Sequence, residues 1–143
     1  MKSRKIYWKA IRCDRMSALI SRSYTRDSIS LLYPVKEWVK PKIKNSKIMV
    51  FSEKEWANSF SRAYGLMVVP CYIKNPIKYE MPRIIKPESS IYEIIKYWQE
   101  YNKNKKNIKR FFLNHQNKYN AYGLNLYRCP GSTVFCDEVY CLE

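Results

Sequence analysis

Residues 47–74 constrain the fold of this chain more than any other stretch, because they spell a strand, a helix and a second strand in succession. Lys47-Ile48-Met49-Val50-Phe51 is a short apolar, β-branched run of the kind that forms a buried strand. Ser52 and Glu55 have the spacing of a capping box, and Phe51 and Trp56 occupy the two positions of a hydrophobic staple around it. Trp56, Ala57, Phe60 and Ala63 follow at helical spacing, which predicts a helix over about 53–64. Gly65 supplies a left-handed stop. Leu66 to Ile73 is the next strand, and Pro70 argues for an edge position or a bulge.

The flanking segments fit the same pattern less sharply. Ile6 to Arg12 predicts an opening strand with Tyr7, Lys9 and Ile11 on one side and Ile6, Trp8 and Ala10 on the other. Cys13 to Ser30 is rich in Ser and Arg and reads as irregular, and Ile29 to Tyr33 is a short apolar run broken by Pro34. A section punctuated by Pro76, Pro82 and Pro87 reads as extended and surface-lying. Ser90 and Glu93 form a second capping box, and Ile91, Ile94, Ile95 and Trp98 predict a helix over about 90–101. Asn102 to Asn107 is polar enough to end it, while Ile108, Phe111 and Phe112 restart it toward 113. Leu124 to Leu142 reads as two strands around a Pro130-Gly131 turn, with Thr133 to Tyr140 alternating as one strand. The expectation is one α+β domain over 1–143, with a mixed or mostly antiparallel sheet and two main helices.

Charge bears on partners. Twenty-seven Lys and Arg oppose twelve Asp and Glu, a formal net charge of +15 on 143 residues. Such a potential attracts polyanions. A/T-rich codons would enrich Lys, Ile, Tyr and Asn, yet they do not account for the scarcity of acids. An aromatic content of 15% separates the chain from disordered basic tails. The charge is also uneven: +10 over residues 1–54, +6 over 96–118 and −2 after Lys118. Clustered cations are what phosphate neutralisation requires. The candidate contacts are therefore Lys40, Lys42, Lys44 and Lys47 in one segment and Lys103, Lys105, Lys106, Lys109 and Arg110 in the other. Tyr97, Trp98, Tyr101, Phe111 and Tyr119 interleave with the second segment. They suit either stacking on unpaired bases or, by their helical spacing, the core face of a helix.

Catalytic and metal motifs are sparse. Three scattered glycines cannot build a phosphate-binding loop or a dinucleotide fingerprint. His115 with Cys129, Cys136 and Cys141 could be one His and three Cys around zinc, but no C-x-x-C pair is present. Cys136 and Cys141 would also point opposite ways along one regular strand. The five cysteines read as reduced, small buried residues in a cytosolic setting. His115, the sole histidine, is the one available partner for a thiol nucleophile and reads more simply as a helix-end side chain. Asp137-Glu138 reads as a solvated strand edge. No catalytic residue, metal or cofactor is assigned. No apolar run of about eighteen residues exists, so no membrane span is expected. The N-terminus lacks the apolar stretch of a secretory signal.

Ile6-Tyr7-Trp8-Lys9-Ala10-Ile11-Arg12, Tyr33 to Val39, Met49 to Ser52 with Trp56, Ala57 and Phe60, and Pro130 to Val139 stand in an order that carries a resemblance. It resembles a loose group of small phage-encoded and prophage-encoded accessory proteins. That resemblance implies a setting, action in a bacterial host cytoplasm; a basic binding protein in that setting is expected to block a host or defence complex. The chain is also similar, more weakly, to the ADP-ribosyltransferase core, through Arg12, Ser21 or Ser23, and Glu138. It departs from that pattern in having Ser21-Arg22-Ser23 and no Glu-x-Glu. The expected partners are nucleic acid, a nucleoprotein or an acidic protein surface.

Overall fold

The computed structural model describes residues 4–17, 30–85, 90–113 and 124–143. Its strands are β1 (Tyr7–Ile11), β2 (Trp38–Val39), β3 (Ile48–Phe51), β4 (Met67–Lys74), β5 (Arg83–Ile85), β6 (Leu126–Arg128), β7 (Thr133–Cys136) and β8 (Glu138–Cys141). Its helices are α1 (Lys54–Tyr64), α2 (Ile91–Lys103) and α3 (Ile108–Phe112), with a 3₁₀ turn at Lys105–Asn107 between the last two. Six strands form one sheet in the order β2-β8-β4-β1-β3-β7, with antiparallel neighbours throughout, and β5 pairs with β6 separately. This is the α+β class expected from the sequence. The strand–helix–strand unit is present as β3–α1–β4, with β1 lying between its two strands.

The large sheet closes on itself. β4 pairs with β8 from Cys71–Cys141 to Lys74–Glu138. Past that point the Asp137 N–H donates to the Lys74 carbonyl at 3.0 Å. Ile77 and Phe135 then exchange both backbone hydrogen bonds, at 2.7 and 3.0 Å. β7 and β8 are therefore one bent strand, joined by ladders to β3 and to β4, and both of those pair with β1. Tyr7, Lys9 and Ile11, grouped on one side by the alternation of β1, face the interior with Val50, Cys71 and Val139. Leu31 and Tyr33 pack into the same core.

The other side of the barrel carries the helices. α1 packs Ala57 and Phe60 against Ala10 and Phe51. A second core joins α2, α3 and the β5–β6 pair to Phe135 of the barrel, with Tyr97, Tyr101 and Phe111 fully buried.

Several local expectations need correction. Ser52 does not cap α1: Glu53 is the N-cap residue, with no side-chain cap, and the Ser52 hydroxyl donates to the Ser132 carbonyl at 3.3 Å. Nor is Trp56 a staple. It is 48% exposed and lies across Gly131, where a Cβ would stand 2.5 Å from the indole. Ala63 and Ile95 face solvent, and Tyr97 and Tyr101 take the inner face of α2 instead. Pro70 sits in an interior strand, not at an edge. Leu142 N donates to the Pro70 carbonyl at 2.9 Å, so the missing Pro70 N–H faces the β8 side level with Leu142, beyond the end of β8. Proline therefore removes only the return bond to the Leu142 carbonyl, at the end of the β4–β8 ladder.

The Pro-punctuated section is not wholly superficial, because Tyr79 and Ile85 enter the second core. Thr133 to Tyr140 is two strands separated by Asp137, and this bulge restores the parity that a regular strand would have broken. Cys136 and Cys141 consequently face the same interior. Gly65 at φ 65° and the Ser90–Glu93 capping box are as expected.

Candidate nucleic-acid interface

The two basic segments, far apart in sequence, meet on the molecule. In the β2–β3 connection Ile43 is drawn into the second core, leaving Lys42 and Lys44 on either side of it exposed. Ser46 closes this turn, donating from both N–H (3.2 Å) and hydroxyl (2.8 Å) to the Ile43 carbonyl. At the end of α2, Asn102 donates its amide to the Trp98 carbonyl at 2.7 Å and to the Asn45 carbonyl at 3.0 Å. The second bond ties the Lys40–Lys47 connection to the helix end that precedes Lys103. In α3, Ile108, Phe111 and Phe112 pack inward, which turns Lys109 and Arg110 to solvent.

A second contact joins the segments through an acid. Lys47 Nζ bonds Asp137, whose other carboxylate oxygen accepts from the Asn75 amide at 2.7 Å. The Lys47 hydrogen bond, helped by Asn75 and Lys105, holds the Asp137 carboxyl below the usual carboxylate range. Lys47 is therefore a structural ion-pair partner and is only partly exposed. Lys103 pairs with Glu100 at 3.4 Å, and Lys109 lies 3.9 Å from Glu80. These two and the remaining candidates, Lys40, Lys42, Lys44, Lys105, Lys106 and Arg110, are exposed. Exposed ammonium and guanidinium groups can each neutralise a phosphate and release counterions.

The aromatic residues of α2 and α3 take no part in this face. Tyr97, Trp98, Tyr101, Phe111 and Phe112 are buried at 6% exposure or less and contact one another. Tyr97 O–H donates to the Arg83 carbonyl at 2.8 Å, which satisfies its polar end inside the core. Their helical spacing marked a core face, and none of the five is placed to stack on a base. Tyr119 lies outside the described residues.

Sites considered for catalysis come apart. Arg12 follows Ile11, opposite Met67, and pairs with Asp14 at 2.9 Å. Glu138 lies opposite Lys74, its partner at 3.4 Å, at the other end of β4. Seven strand positions separate Met67 from Lys74, roughly 23 Å along the strand. Ser21 and Ser23 lie outside the described residues, as does His115. Cys129 belongs to the second core, while Cys136 and Cys141 lie inside the barrel. Burial pushes the Cys129 and Cys136 thiols up to about 12, and raises Cys71 and Cys141 as well. Such thiols keep their protons at neutral pH and are poor nucleophiles. Asp137 and Glu138 are both paired with lysines and are not a solvated edge.

Sequence reasoning missed Asn45, Asn102 and Asp137, the residues that bring the segments together. Their partners lie 57 and 90 positions away, so no local spacing announces them. No helix among the described residues is long and apolar enough to cross a membrane. Comparisons with family models, curated proteins and solved structures found no match.

Proposed function

We propose that this protein is a binding protein for nucleic acid or a nucleoprotein, and that its ligand lies across the face formed by Lys40–Lys44 and Lys103–Arg110. The observation that carries this reading is the convergence of two basic segments through the Asn102–Asn45 hydrogen bond, with every candidate cation except Lys47 exposed. Charge spread evenly over a surface gives weak attraction everywhere, whereas cations gathered on one face engage several phosphates at once. In the phage-type setting that the sequence resemblance implies, the ligand belongs to the bacterial host and the protein blocks a host or defence complex.

The test is binding of single-stranded and duplex oligonucleotides over a salt series, with parent protein and a Lys44→Ala/Lys105→Ala/Lys106→Ala/Arg110→Ala variant. The parent should show log affinity falling linearly with log salt. The variant's slope should be shallower by roughly 0.7 to 0.9 for each phosphate that it no longer neutralises. Absent binding at low salt, or a slope that does not change, overturns the reading. Equal affinity for polyglutamate would instead indicate an acidic protein as partner.

A further inference from the structure

One aromatic group lies outside every core. Trp38 on β2, Tyr140 on β8 and Tyr72 on β4 are directly opposite one another across three neighbouring strands. Their ring centroids are 5.3 Å apart for Trp38–Tyr140 and 6.1 Å for Tyr72–Tyr140. Strand parity turns them away from the barrel interior, since Val39, Val139 and Cys71 beside them face inward. All three are partly exposed, and no described helix packs on them.

Cross-strand aromatic pairs do stabilise sheets, but a pair is enough for that. Here the row spans three strands and its outer rings carry cations. The Arg4 guanidinium lies 5.4 Å from the Tyr72 centroid and Lys74 Nζ 4.4 Å from that of Trp38. Each outer ring thus has a cation over one face, which a stacking group would displace. A base can lie on the rings while its phosphate takes the cation. Glu138, which pairs with Lys74 at 3.4 Å, is a carboxylate on this face. Lys40 follows Val39, the last residue of β2, so the basic connection begins where the ladder ends. Three strands at the usual spacing make the ladder roughly 10 Å wide.

We infer that the Trp38–Tyr140–Tyr72 ladder stacks unpaired bases, so that the ligand of the adjoining basic face is single-stranded nucleic acid. This rests on the nucleic-acid reading of that face and adds the strand state to it. Duplex bases, already stacked and paired, cannot use the ladder.

The probes are a fifteen-nucleotide oligothymidylate, the abasic oligomer of equal length and a duplex of equal length. The proteins are the parent, Tyr72→Thr/Tyr140→Thr and Tyr72→Phe/Tyr140→Phe. The Thr variant should bind oligothymidylate roughly tenfold or more weakly while its duplex and abasic affinities stay within twofold of the parent's. The Phe variant should bind like the parent. Unchanged oligothymidylate affinity in the Thr variant overturns the inference and leaves the general reading standing. So does an equal loss on all three probes, which would trace to the fold or the charge rather than to stacking. A parent that binds no probe at low salt removes the general reading, and the ladder proposal with it.

Discussion

Lys9 places an ammonium group inside the barrel, only 8% exposed, with its Nζ 5.2 Å from the Tyr33 ring centroid and three cysteines on the surrounding strands. Burial lowers its pKa from the usual lysine value, and nearby thiols offset that only in part. The ring quadrupole of Tyr33 compensates some of the lost hydration. A buried charge with no acidic partner among the described residues still costs more than a thioether of similar length. Lys9→Met should therefore raise stability by about 1–3 kcal/mol at neutral pH, read from denaturant unfolding. The pH dependence has a definite sign. Above its depressed folded pKa the native state has lost the proton that the unfolded chain keeps up to 10.5, so stability gains from Lys9 as pH rises through that window. The Met variant should lack that gain. A variant less stable than the parent would mean the ammonium group is needed to hold Tyr33 in place. Alternation in β1 grouped Lys9 with Tyr7 and Ile11, but nothing in those seven residues says that this side is the interior.

Among the elements, α2 offers the cleanest test of a local signal. The Ser90 hydroxyl accepts from the Glu93 N–H at 3.2 Å, and the Glu93 carboxylate accepts from the Ser90 N–H at 3.4 Å. Ser90→Ala should cost about 1 kcal/mol in thermal or denaturant unfolding. Ser52→Ala should cost less, because Ser52 makes no cap and loses one 3.3 Å bond to a backbone carbonyl. Equal losses would contradict the assignment of the α1 N-cap to Glu53. The contrast shows what sequence could supply. Capping, helical spacing and the Gly65 stop act within a turn, so both main helices and the break at Asn102 to Asn107 were legible. Strand order depends on partners many residues away. Pro70 therefore pointed to an edge although β4 is interior, and Asp137 gave no sign that it bends one strand into two. The basic face was half legible: its cations were named by charge alone, but their meeting and the engagement of Lys47 by Asp137 follow from pairing. The ladder was not legible, since Trp38, Tyr72 and Tyr140 come together only through strand register.

At the scale of the whole molecule, two cores hold their protons tightly, and this limits the alkaline range of the fold. Burial raises the Cys129 and Cys136 thiols from 9.0 to about 12, and raises Cys71, Cys141, Tyr33, Tyr97 and Tyr101 in the same direction. A thiol whose folded pKa exceeds its unfolded value contributes stability in full below pH 9. It loses that contribution as pH climbs toward 12, because the unfolded chain ionises first. Each such group steepens the loss by about 1.4 kcal/mol per pH unit across its window. Lys9 works in the opposite sense, but it is one group against four thiols and three phenols. Stability should thus fall from pH 9 upward, measured by urea unfolding at fixed ionic strength under reducing conditions. Cys136→Ala separates packing from ionisation. Removing the sulfur should cost about 1 kcal/mol at pH 7, while the loss between pH 9 and pH 11 becomes shallower by one proton. An unchanged alkaline slope in that variant would mean that Cys136 ionises in the folded state without disturbing the barrel, and that the closure seen between β7 and β4 leaves its interior open to water.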